Sequence, residues 1–134
     1  MAKLNVALVT PERQVARVEV DMITAPSAMG QVGILPEHQP LLADLVEGPV
    51  VFKAGSSSET YALSGGFLEV DNNKVVILAE TAEHTSEIDE DRAQGALSDS
   101  EKRLKGLDIS DPDYDEHQSR VRRARVRLSV LGKG

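Results

Sequence analysis

Five arginines crowd one short stretch near the end of the chain: Arg120, Arg122, Arg123, Arg125 and Arg127. On a helix, Arg120, Arg123 and Arg127 fall on one side at steps of three and four, with Arg122 and Arg125 flanking that line. Such an array suits an anion: an acidic protein surface, a phosphate group, or the chain's own acidic body. From Arg120 onward there are six bases, counting Lys133, and no acid, whereas the first 119 residues carry nine bases against 22 acids. The net charge of -7 argues against nucleic acid, whose binding proteins are usually basic overall. Phe52, Tyr61, Phe67 and Tyr114 are too few to build a stacking platform for single strands. By charge alone, the arginines make a solvated face or a face for a protein partner.

Other candidates for chemistry are weaker. Asp111, Asp113 and Asp115 have the opening spacing of a calcium loop, but Glu116 and Arg122 stand where the loop needs Gly and Glu. A first helical turn rich in acids accounts for them. His38, His84 and His117 are scattered without metal-ligand spacing, so no metal site is expected. No serine sits in a Gly-x-Ser-x-Gly elbow and no pair of carboxylates stands out as an acid–base couple, so no catalytic residue is assigned. The lack of cysteine excludes disulfides, Cys-ligated zinc and thiol catalysis, and suits a reducing compartment.

The elements that would carry these residues change character near Ala82. A chain of 134 residues buries one real core, with room for a domain and an appendage. A hydrophobic share of 40% and a mean hydropathy of -0.25 are those of ordinary globular proteins. No run of about 18 apolar residues is present, so no membrane insertion is expected. Met1 to Val6 breaks at once into polar–apolar alternation, unlike a secretory signal.

Leu4, Val6 and Leu8 have the period of a half-buried strand. A second run, Val15, Val18 and Val20, is expected to continue through Met22 and Ile23, and Ala25 to Gly30 has loop composition. Short strands follow in Gln31 to Leu35, Leu41 to Val46, Val50 to Lys53, Glu59 to Leu63, Phe67 to Val70 and Lys74 to Ala79, with Asp71-Asn72-Asn73 as a hairpin turn. Their spacing predicts an antiparallel β-sandwich or barrel built mainly from Val, Ile and Leu.

Ala93, Ala96, Leu97, Ser100, Leu104 and Leu107 then recur at helical steps, with Ser86 expected to cap the helix and Gly106 to end it. Asp111-Pro112 predicts a second start, and Tyr114, His117, Val121, Ala124, Leu128 and Leu131 form its stripe. The fold class is therefore β plus α: a β-sandwich over 1–84 and an antiparallel two-helix hairpin over 85–134. Both stripes are narrow, so the hairpin is expected to leave its docking surface or unfold locally.

Three motifs carry a resemblance that covers essentially the whole chain. They are Val9-Thr10-Pro11-Glu12, Gly33-Ile34-Leu35-Pro36-Glu37-His38-Gln39-Pro40-Leu41, and Ser64-Gly65-Gly66-Phe67-Leu68-Glu69-Val70; Arg127-Leu128-Ser129-Val130 fits the ending. Together with the order of strands before helices, they resemble the epsilon subunit of F-type ATP synthases. The resemblance implies a non-catalytic subunit of the central stalk, peripheral on the cytoplasmic face of the bacterial plasma membrane. It would couple rotation of the c ring to the catalytic head. Ala28, Met29, Gly30, Gln31 and Val32, with His38, Gln39, Pro40, Leu41 and Leu42, would face the gamma subunit or the c ring. The hairpin would restrain ATP hydrolysis when it extends into the alpha and beta subunits, where Arg120, Arg122, Arg123, Arg125 and Arg127 would meet an acidic segment of beta.

Some bacterial members of that family bind ATP in the folded hairpin through an Ile/Leu-Asp-x-x-Arg-Ala motif. Ile88, Asp89, Arg92 and Ala93 fit it, Glu83 precedes it at the matching spacing, and Arg123 and Arg127 match the second-helix arginines. ATP is thereby implied as a regulatory ligand that favours the folded hairpin and is not hydrolysed, with no cofactor required. Asp99 departs from the pattern, standing where some nucleotide binders carry another Arg. Without the ligand reading, Asp89 is a helix cap and Arg92 a partner for Asp89 or Asp91. The alternative from another class is a stand-alone nucleotide-sensing module whose sandwich docks nothing.

Overall fold

Residues 2–132 are described by the computed structural model; Met1 and Lys133, read above as part of the start and of the basic end, lie outside the described residues, as does Gly134. Alternation lays down the first strand, β1 (Leu4–Val9), with Leu4, Val6 and Leu8 all buried. β2 (Gln14–Val20) pairs antiparallel with it. The β-branched run does not continue past Val20, because Asp21 interrupts it. The Asp21 carboxylate pairs with Lys3 and accepts the Gly55 N–H at 2.6 Å, and these partners hold it below its ordinary pKa.

β3 (Met22–Ser27) takes in Ala25 to Ser27, three residues with loop composition, and only Ala28 and Met29 form the turn into β4 (Gly30–Ile34). β5 (Leu41–Ala54) joins two expected strands in one, and so does β6 (Ser57–Asp71). β6 passes through Gly65 and Gly66, whose φ values of 115° and 141° are open to glycine alone. A Cβ on Gly66 would overlap the carbonyl oxygen of Leu78. Asn72 and Asn73, at φ 52° and 65°, make the expected hairpin turn into β7 (Lys74–Ala79). β8 (Ala82–His84) then pairs with the first half of β6.

The strands form one hydrogen-bonded sheet in the order β2-β1-β7-β6-β5-β3-β4, which folds over until β2 meets β5. Pairing is antiparallel except between β1 and β7, which run parallel. A single core drawn from all eight strands fills the interior, with Phe52 and Tyr61 as its aromatic pair.

After a 3-10 turn at Thr85–Glu87, α1 spans Glu90–Lys105 and α2 spans Tyr114–Val130. The cap of α1 is Asp89, whose side chain accepts the Arg92 N–H at 3.0 Å; Ser86 sits in the 3-10 turn instead. Pro112 is not the first residue of α2. Asp111 folds Pro112 and Asp113 into a preceding turn by accepting the Asp113 N–H on its side chain and the Tyr114 N–H on its carbonyl. α2 lies on β5 and β6, and α1 packs chiefly on α2. Ala93 and Ser100 of α1 and His117, Val121, Ala124 and Leu128 of α2 are the buried residues of the two helices, a narrow seam as the stripes predicted.

Candidate functional site

Small side chains on the facing stripes let α1 and α2 approach, and the chain entering α1 from β8 closes the space between their ends. A cleft of about 480 Å³ opens there. Glu83, Ile88, Asp89, Arg92, Ala93, Arg123 and Arg127 all line it, so the seven residues expected at a nucleotide site come together on one wall-to-wall surface. Glu87, Ala96, Asp99, Ser100 and Arg120 line it as well. Ala96 and Ser100 were legible only as packing residues, and Arg120 only as part of the basic face.

The cleft mixes charges in an ordered way. Arg127 donates from Nε to Glu83 Oε1 at 2.6 Å. Arg120 pairs with Glu116 at 2.6 Å on its own helix, and Asp99 pairs with Arg103 at 3.2 Å. Arg123 donates to the Ser119 hydroxyl at 2.9 Å. Among the described residues, Arg92 and Arg123 have no carboxylate partner, so two guanidinium groups face the cleft with charge to spare. Arg92 does not pair with Asp89 or Asp91; only its backbone N–H meets Asp89. The remaining arginines of the basic helix look elsewhere: Arg122 to Glu47 of β5 at 3.4 Å and Arg125 to Glu101 of α1 at 3.7 Å. The acidic body is thus the partner that α2 meets in this conformation.

Beside the cleft, His84 caps the 3-10 turn. Its Nδ1 accepts the Ser86 N–H at 3.1 Å, its Nε2 meets the Glu59 carboxylate, and its ring stands edge-on to Tyr61 at 5.1 Å. Burial, reinforced by the charges of Glu59 and Glu87 and opposed by Arg13, pushes the Tyr61 phenol above its ordinary pKa.

A second surface gathers the residues expected to face partners. Ala28 donates its N–H to the Asp44 carbonyl, which brings the β3–β4 turn beside the start of β5. Met29 is 97% exposed and Leu42 70%, and Gly30, Gln31, Gln39 and Pro40 are exposed too. Val32 and Leu41 instead pack against the core, and His38 is half-buried with Nδ1 near the Gln39 carbonyl at 2.7 Å. Exposed Phe67 and Leu78 stand opposite each other on β6 and β7, with Val46 and Val76 also exposed on β5 and β7. Sequence reading missed these four, whose only signal is an apolar residue on the outward beat of a strand.

A β-sandwich joined to a two-helix hairpin is the architecture on which the comparisons agree. Family models for the ATP synthase delta/epsilon chain match residues 3–85 as its beta-sandwich domain and 86–132 as its long alpha-helix domain. The chain belongs to the delta/epsilon family of ATP synthase subunits, and such subunits are non-catalytic. Its full-length relatives include the ATP synthase epsilon chain of Anaeromyxobacter sp. (strain K), 41% identical over 97% of this chain and 98% of the relative. Another is the epsilon chain of Citrifermentans bemidjiense, 43% identical over 98% and 95%. Among solved structures, a chain of the Euglena gracilis mitochondrial ATP synthase superposes with a TM-score of 0.86 at 21% identity, covering 98% of this chain and 82% of that one.

Proposed function

We propose that this chain is the central-stalk epsilon subunit of a bacterial ATP synthase, holding its sandwich against the gamma subunit and the c ring and its hairpin ready to restrain hydrolysis. The observation that carries this reading is the division of surfaces. The exposed apolar face around Met29, Leu42, Phe67 and Leu78 belongs wholly to the sandwich and is left uncovered by the hairpin. An apolar face of that kind suits a partner that stays bound. The hairpin, by contrast, is held to the sandwich by one helix, a narrow seam and ion pairs, which suits a part that leaves. No helix of the described residues is long and apolar enough to cross a membrane. With relatives in bacteria, the location proposed is the cytoplasmic face of the plasma membrane.

In the released state Arg120, Arg122, Arg123, Arg125 and Arg127 would be free to meet the acidic segment of the beta subunit. In the folded state the cleft would take ATP as a sensor ligand. Asp89 and the backbone beside it read the base or sugar, and Arg92 and Arg123 neutralise phosphate. Deleting residues 86–134 tests the division: assembly stays and the ATPase rate of the assembled head rises. Loss of assembly would overturn it.

A further inference from the structure

The ion pairs of the two helices fall into two sets. Arg120–Glu116, Arg103–Asp99 and Arg125–Glu101 lie within the hairpin and travel with it wherever it goes. Arg122–Glu47 and Arg127–Glu83 join α2 to the sandwich and are lost when the hairpin leaves. Glu47 differs from Glu83, the other sandwich partner. It sits on β5 outside the nucleotide cleft, and its side chain is only 21% exposed. A carboxylate so covered loses part of its hydration and relies on its guanidinium partner.

From this placement we infer that Glu47 is an internal decoy for the basic helix. It occupies Arg122 with the same chemistry, a carboxylate, that an acidic partner protein would offer, so Arg122 serves either the sandwich or the partner and never both. This rests on the proposed inhibitory reading and adds the element that sets its threshold. Glu47 biases the resting balance toward the docked hairpin independently of nucleotide, because it does not touch the cleft. The bias is electrostatic and weakens with salt, since a partly exposed pair is screened within a Debye length of about 8 Å at physiological ionic strength. Two ends of one ion pair then have opposite effects on the assembled enzyme. Removing Glu47 releases an intact basic helix and deepens inhibition; removing Arg122 releases a helix that has lost a contact and relieves it.

The chain has no cysteine, so one introduced thiol reports release without interference. Ala62 of β6 is buried where it faces Val126 and Arg127 of α2, and Ala62→Cys places the thiol under the docked helix. Its labelling rate in the full-length protein, without nucleotide, measures how often the helix leaves. Glu47→Gln in that background is expected to speed labelling about twofold to fivefold, the range of partly exposed pairs. One molar sodium chloride should accelerate the parent by a larger factor than the Glu47→Gln variant, and the exchanged pair Glu47→Arg with Arg122→Glu should return the rate toward the parent's. An unchanged rate in Glu47→Gln, or equal salt factors, overturns the decoy. In the assembled ATPase, Glu47→Gln is expected to lower and Arg122→Ala to raise hydrolysis. Faster labelling with unaltered hydrolysis would leave the decoy standing and overturn the inhibitory reading instead.

Discussion

Arg127 on the last turns of α2 and Glu83 on the last strand of the sandwich meet at 2.6 Å, the shortest route by which the end of the chain is tied back to the domain that precedes it. Both side chains are half-buried, so the pair is stronger than a free surface contact and weaker than a core one. Arg127→Ala is expected to weaken docking of the hairpin by about 1 kcal/mol, part of it from leaving Glu83 without its donor. Native-state proteolysis within α1 and α2 measures this: cleavage speeds several-fold while the sandwich stays intact.

The cleft holds two arginines without carboxylate partners among the described residues, and phosphate affinity is expected to depend on them. Arg92→Ala and Arg123→Ala should each weaken ATP by about tenfold or more, given about 1.5–3 kcal/mol for a charge-assisted hydrogen bond. Asp99→Asn should act the other way and tighten ATP several-fold, by removing a carboxylate that repels phosphate. Amide shifts of Ile88 to Ala93 and of Arg123 to Arg127, followed through an ATP titration, give the three affinities. Unchanged affinity in both arginine variants would return Asp89 to a plain helix cap.

Gly95 is the weak point of α1. It lies exposed in mid-helix, and a Cβ there meets nothing within 4 Å. Gly95→Ala is expected to stabilise α1 by about 0.5–1 kcal/mol through the lost backbone freedom of the unfolded chain. Slower hydrogen exchange in α1, with β7 unaffected, would show it.

Tyr61 gives the sandwich a pH limit on the alkaline side. Its folded pKa is raised, chiefly by burial and further by Glu59 and Glu87. The unfolded chain therefore gives up the phenolic proton first as pH rises. The contribution is whole below the ordinary tyrosine value of about 10 and is lost above it, as pH climbs through the folded value. Urea midpoints measured from pH 8 to 11 should fall at the alkaline end, and less steeply in Tyr61→Phe.

The sequence revealed type and order better than extent. Leu4, Val6 and Leu8 declared β1 because a strand with one buried face alternates, and Asn72-Asn73 declared a turn because Asn tolerates positive φ. The long strands were hidden because Gly48-Pro49 and Gly65-Gly66 look like turns locally. In the fold, Gly48 lets β5 pass against Pro26, and Gly65 and Gly66 let β6 move from β8 to β7. Long-range pairing overrode local propensity there. At the candidate site, Ile88 to Ala93 and the two matching arginines were visible as a motif. The pairing of Arg122 with Glu47 was not, because nothing in a one-dimensional pattern brings residues 75 apart together.

β5 and β6 run beside each other almost without interruption from the Leu42 end of the sheet to the turn at Gly55. At about 3.3 Å per residue, the path along such a ribbon is about 40 Å, bent where β6 passes from β8 to β7. Its cross-strand bonds lie perpendicular to the strands, so a force along the ribbon loads many of them side by side in shear, and none can be unzipped singly. α2 rests on these same two strands. A displacement at one end of the domain therefore reaches the seat of the hairpin through paired strands, with no loop in between.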